Sequence, residues 1–104
     1  MVTRVEIISV GNEVLTGDVV DTNSNWLARQ ATQRGGKVRR VTTIPDEVDI
    51  IAEAVRDALG RAARLVFVTG GLGPTQDDLT LAGIAQGVGR ALAEDPRALD
   101  MVKQ

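Results

Sequence analysis

Three short β-branched runs, the first and third apolar and the second more exposed, each followed by a segment of helical spacing, constrain this chain more than any other feature. The runs are Val5–Val10 (VEIISV), Val38–Thr43 (VRRVTT) and Arg64–Thr69 (RLVFVT). Their composition is that of strands. After the first run, Asp21, Thr22 and Asn23 are all competent N-caps. The spacing predicts a helix from there through Trp26, Leu27 and Ala31 to about Arg34, stopped by Gly35-Gly36. After the second run, Asp46 is placed to cap a helix, with Asp49 where a capping-box acid would stand. Val48, Ile51, Val55, Ala58, Leu59 and Ala62 form its apolar stripe. After the third run, Leu81, Ile84, Ala85 and Val88 mark a helix that ends at Gly89, with Gly83 and Gly87 giving it a flat side. Glu94-Asp95-Pro96 then predicts another helix over Arg97–Lys103.

Strands alternating with helices imply a parallel sheet with right-handed crossovers. The expected fold is a three-layer α/β/α domain with strand order 2-1-3. Lys37, Arg39 and Arg40 place the second strand at or near an edge. In that order the connection reverses between strands 1 and 3, and open α/β sheets bind ligands in the crevice at such a point. Two loops meet there, Gly11-Asn12-Glu13 and Thr69–Asp78, with Asp46 on the same rim.

At 104 residues the chain reads as one domain, residues 1–104. Its net charge of −2 and its two aromatic residues, Trp26 and Phe67, argue against nucleic acid as a partner. Cysteine and histidine are both absent, which excludes disulfides, thiolate or imidazole ligands and histidine-assisted nucleophiles. A metal here would be held by oxygen, which points to Mg²⁺, Mn²⁺ or another hard divalent ion. No apolar run approaches a membrane span and the N-terminus lacks the layout of a signal peptide, so the expected location is cytoplasmic.

The candidate chemistry sits in Val66–Thr80, VFVTGGLGPTQDDLT. Thr69, Gly70, Gly71 and Gly73 form a sharp turn whose backbone can come close to a ligand, and a helix begins just beyond. Free N–H groups and a helix N-terminus suit a phosphate. Asp77 and Asp78 would repel that phosphate unless a divalent cation lay between them, so the pair is the expected metal site. Asp78 also reads as an N-cap, Asp46 as the cap of the second helix, and Glu13 as a solvated loop acid; each is equally a candidate ligand or base. Thr75, Gly11, Asn12 and Asn23 are further candidates for holding phosphate or nucleotide. Neither a P-loop nor a G-x-G-x-x-G motif is present.

Two blocks carry a family resemblance. Thr69–Thr80 (TGGLGPTQDDLT) resembles the signature of the molybdopterin-binding, MoaB/MogA-like domain, in the version found at the N-terminus of CinA, the competence/damage-inducible protein. Gly11–Leu27 (GNEVLTGDVVDTNSNWL) resembles the family's first loop and helix, including Asp18 and Asp21. The resemblance implies a domain that continues for some dozens of residues past Gln104, and so a sheet truncated at its C-terminal side. It implies that the acids matching Asp78 and Asp46 serve metal-dependent chemistry, with the glycine turn on a phosphate or pyrophosphate. Gln76-Asp77-Asp78 is more similar to the CinA branch, for which the implied reaction is hydrolysis of a nucleotide pyrophosphate such as ADP-ribose with Mg²⁺, Mn²⁺ or Co²⁺. The alternatives are adenylyl transfer to molybdopterin and a non-catalytic binding or assembly module. The implied partners are a nucleotide or pterin phosphate and further copies of the chain in a homo-oligomer.

Overall fold

In this computed structural model, the backbone is described for residues 3–70, 74–94 and 100–103, and the side chains for 3–70 and 79–90. The elements run β1 (Thr3–Val10), α1 (Asn12–Leu15), α2 (Thr22–Gln33), β2 (Gly36–Ile44), α3 (Val48–Gly60), β3 (Leu65–Gly70), α4 (Pro74–Glu94) and β4 (Asp100–Lys103). The sheet order is β2-β1-β3-β4 and every pairing is parallel. The expected order 2-1-3 is therefore present, with β4 added outside β3.

Alternation along β1 divides the core into two layers. Val5 and Ile7 face α2 and pack with Leu27, flanked by Ala28, Ala31, Val38, Leu65 and Phe67. Ile8 and Val10 face the other way, into a larger cluster with Ile44, Ile51, Val55, Leu59, Val66, Val68 and Ile84. That side is covered by α3 and α4. Their contact is close because α4 presents glycine to α3. A Cβ on Gly83 would stand 2.5 Å from Ile51 Cγ2, and one on Gly87 would stand 2.6 Å from the Ala52 carbonyl oxygen. The flat side expected from these two residues is there.

Three expectations give way. Gly89 does not end the third helix, which continues to Glu94; Gly89 faces open space, and the packing of the preceding turns outweighs its low propensity. Residues 100–103, expected within a helix, pair with Leu65–Val68 as β4. Four residues are too few for periodicity to separate the two states, and the open edge of β3 decides. The turn after β1 also contains a short helix, α1, where only a loop was expected.

Helix ends follow their residues more closely. Asp21 is the N-cap of α2, its carboxylate accepting from the Ser24 N–H at 2.9 Å. Gly35, at φ 86°, closes the C-terminus as expected. The end of α3 is a Schellman turn: the Ala62 N–H donates to the Leu59 carbonyl and the Ala63 N–H to that of Ala58. Its left-handed position is filled by Ala62, at φ 65°, rather than by glycine. Among the described residues, no helix is long and apolar enough to cross a membrane.

Candidate functional site at the carboxyl ends of β1, β2 and β3

The parallel sheet brings the carboxyl ends of its first three strands to one rim. The Gly11 N–H donates to the Ile44 carbonyl at 2.9 Å, so the turn after β1 is stitched to the end of β2. The Asp46 N–H donates to Asn12 Oδ1 at 3.3 Å and ties the two loops again, one step further on. On the other side of β1, Gly70 pairs with Val10. Gly70 holds φ 119°, and a Cβ there would strike the Val10 carbonyl oxygen. The start of the turn thus requires glycine twice over, for its backbone angle and for its close approach to β1.

Two of the candidate acids meet at this rim. The Glu13 carboxylate folds back over Gly11, its Oε1 2.7 Å from where a Cβ on Gly11 would stand. Burial, and secondly the negative charge of Glu13, push the Asp46 carboxyl above its ordinary value of 3.8. Asp46 Oδ1 is buried and finds no hydrogen-bond partner among the described residues. The expectation that Asp46 caps α3 is overturned: the N-cap is Glu47, whose side chain makes no cap hydrogen bond. The helix begins one residue later than the capping reading requires, so the Asp46 carboxylate is left to the crevice. Asp49 does not complete a capping box either; its Oδ1 accepts from Gln86 Nε2 of α4 at 3.2 Å.

The other candidates divide. Thr69 is buried at the end of β3, beside Gly70. Asn23 is exposed in the first turn of α2. That end of α2 reaches the rim through Asp21: burial works to raise its carboxyl, but hydrogen bonding from Ser24 and from Ser9 of β1 outweighs it and leaves it below 3.8. Asp18 accepts from the Thr16 hydroxyl at 3.0 Å and serves the turn. Gly71 and Gly73 lie outside the described residues, as do the side chains of Thr75, Asp77 and Asp78. The backbone of α4 begins at Pro74, so Asp78 is in the second turn and not at the N-cap. Pro74 takes the first helical position, where its missing N–H costs nothing.

Among the described residues, no group of three or more acids is placed to hold a metal ion. Glu13 and Asp46, which meet at the rim, offer oxygen alone, with one orphaned oxygen and a carboxyl whose ionisation is opposed by its neighbour. A hard divalent cation would relieve both, so these residues fit such an ion. Sequence reasoning missed one charged pair altogether. Glu6, buried at 3% exposure in β1, accepts from Arg61 Nε at 2.9 Å and from an Arg61 terminal nitrogen at 2.6 Å. A carboxylate in the middle of VEIISV was the available signal.

Residues 6–104 match the family described as "Probable molybdopterin binding domain". A protein of Aeropyrum pernix is 54% identical over 101 residues, which are 97% of this chain and 37% of that protein. The crystal structure of CinA from Thermoplasma acidophilum superposes with a TM-score of 0.77 at 42% identity, over 83% of this chain and 52% of that one. The tungsten cofactor synthesizing protein MoaB from Pyrococcus furiosus superposes with a TM-score of 0.71 at 23% identity, over 81% of this chain and 52% of that one. That last likeness is one of fold alone.

Proposed function

The chain belongs to the molybdopterin-binding-domain family, with CinA among its relatives, and on that premise we propose that its crevice is a divalent-metal-dependent site for hydrolysis of a nucleotide pyrophosphate. The observation that carries the reading is the Glu13–Asp46 pair, with its orphaned oxygen, on the rim that also holds the Gly70 turn. The preference for a nucleotide pyrophosphate rests on the likeness of Gln76-Asp77-Asp78 and the preceding turn to the CinA branch.

The backbone from Gly70 to Gly73 would cradle the phosphates, with Thr69, Thr75, Gly11, Asn12 and Asn23 around them. Asp78, with Asp77 or Asp46, would hold the cation, which when bound neutralises the phosphoryl oxygens and makes water more acidic. Asp46 is the better of the two candidate bases. Its raised affinity for a proton brings it nearer the range in which a carboxylate accepts one from water. Glu13, folded over Gly11, would orient that water. Asn12 fixes Asp46 through its backbone and so sets the distance between the two acids.

The test is release of AMP from ADP-ribose by the purified protein, with and without Mg²⁺, Mn²⁺ or Co²⁺. Metal-dependent release, abolished in Asp78→Asn and strongly reduced in Asp46→Asn with the fold intact, is the expected result. Near-normal turnover in a folded Asp78→Asn protein overturns the assignment of that residue. The family description, a molybdopterin-binding domain, favours a second reading in which the same crevice takes a pterin phosphate, with adenylyl transfer as the reaction the resemblance implies. Adenylylation of molybdopterin from ATP, with no release of AMP from ADP-ribose, is the outcome that selects it.

A further inference from the structure

The pairing of β1 with β2 slips by one residue. Val5 pairs with Val38 but Glu6 pairs with Arg40, so Arg39 is an extra residue with no partner in β1. Such a bulge re-aims side chains that strict alternation would send to opposite faces. Here its consequence is that two consecutive residues, Arg39 and Arg40, line one cleft together with Arg4, Glu6, Arg61 and Ala63. The cleft encloses about 360 Å³. It lies toward the amino-terminal end of β1, whereas the crevice begins at Gly11. Six strand residues lie between Arg4 and Gly11, a span of roughly 23 Å.

The charge in this cleft is unbalanced. Both oxygens of Glu6 are taken by Arg61. Asp57 adds a second carboxylate near Arg61, helping to hold its guanidinium protonated. Arg4, Arg39 and Arg40 have no ion pair among the described residues. Four guanidiniums and one carboxylate, Glu6, therefore line the cleft, while Glu53 and Asp57 line the neighbouring cleft beside Arg40 and Arg61, in a chain whose net charge is −2. Water weakens the repulsion among these exposed like charges, and an anion seated between them would turn what remains into attraction. A guanidinium presents paired N–H donors that match the paired oxygens of a phosphate.

We propose that this cleft is a second anion site, separate from the crevice, which binds a multiply charged oxyanion of the phosphate class carried on a larger molecule. A single carboxylate would compensate only part of the surplus charge. The volume leaves room for more than the phosphate itself.

The probe is inorganic pyrophosphate, titrated without divalent metal into the isotopically labelled protein and read at the arginine Nε–H signals by NMR. The signals of Arg4, Arg39 and Arg40 should shift together and saturate. Replacing both bulge residues, Arg39→Gln with Arg40→Gln, should weaken this binding by on the order of a hundredfold, near tenfold for each charged hydrogen-bonding group removed. Both residues are exposed, so the amide spectrum of the double variant should otherwise match the parent. Asp46→Asn should leave the arginine shifts in place, which separates this site from the crevice. Saturating shifts that survive in the double variant, or none at all, overturn the proposal. An equal response to acetate at the same concentration overturns the phosphate class.

Discussion

Asn12 and Asp46, 34 residues apart, are joined at the rim of the crevice by the hydrogen bond from the Asp46 N–H to Asn12 Oδ1. The bond keeps the Asp46 carboxylate beside Glu13, where burial and the neighbouring charge oppose its ionisation. A carboxyl raised in the folded state binds its proton more tightly there than in the unfolded chain. Its ionisation therefore costs stability. That cost is absent below pH 3.8, grows as pH rises through the raised value, and is complete above it. Asp46→Asn should thus gain stability relative to the parent between pH 3 and pH 7, by up to about 1 kcal/mol for a partly exposed pair. Urea unfolding at the two pH values checks it, and a difference that shrinks toward neutral pH contradicts it.

Ala62 occupies the left-handed position of the turn that closes α3. A Cβ in that conformation costs roughly 1–2 kcal/mol, part of which glycine returns as lost entropy. Ala62→Gly should raise stability by about 0.5–1 kcal/mol. A lowered midpoint in denaturant would show that the alanine methyl packs better than its backbone angle suggests.

Glu6 and Arg61 should respond asymmetrically. Arg61→Ala leaves a carboxylate at 3% exposure without its partner and should cost about 2 kcal/mol, less than a fully buried pair because the arginine is 37% exposed. Glu6→Gln keeps an acceptor for the guanidinium and should cost less. Thermal unfolding of both variants, and of the double variant, gives the coupling; equal losses would contradict the asymmetry and show that stranding the Glu6 carboxylate costs no more than removing its charge.

The two glycines of α4 at positions 87 and 89 predict opposite signs. Gly87→Ala places a methyl 2.6 Å from the Ala52 carbonyl oxygen and should destabilise by about 1–3 kcal/mol. Gly89→Ala meets nothing within 4 Å and should stabilise by about 1 kcal/mol through helix propensity alone. The pair is read in one denaturation series, and a shared sign would contradict the close packing of α3 on α4.

The strands, their order and the rim were legible because each depends on local composition and on a topology rule. VEIISV and RLVFVT are too apolar and branched to be much else, VRRVTT is β-branched at four of its six positions, and Gly70 stands where the backbone demands it. What stayed hidden was decided by contacts between distant residues. The partner of Glu6 lies 55 residues along the chain. Gly89 reads as a stop, and only the packing of Gly83 and Gly87 on α3 carries the helix past it. The capping role of Asp46 failed by a single residue, and periodicity does not fix helix ends so closely. The bulge at Val5/Glu6 leaves no mark in the sequence beyond two adjacent arginines.

The all-parallel sheet also sets when the crevice can exist during folding. No two neighbouring strands are joined by a tight turn, so each pairing must close a long loop before it is rewarded. The helices can form early from local contacts, whereas β1 gains both neighbours only after two separate crossovers have docked. Gly11, Asp46 and Gly70 therefore come together last. Refolding followed by helical signal should run ahead of refolding followed by ligand binding, with the site appearing in the same kinetic step as the finished sheet.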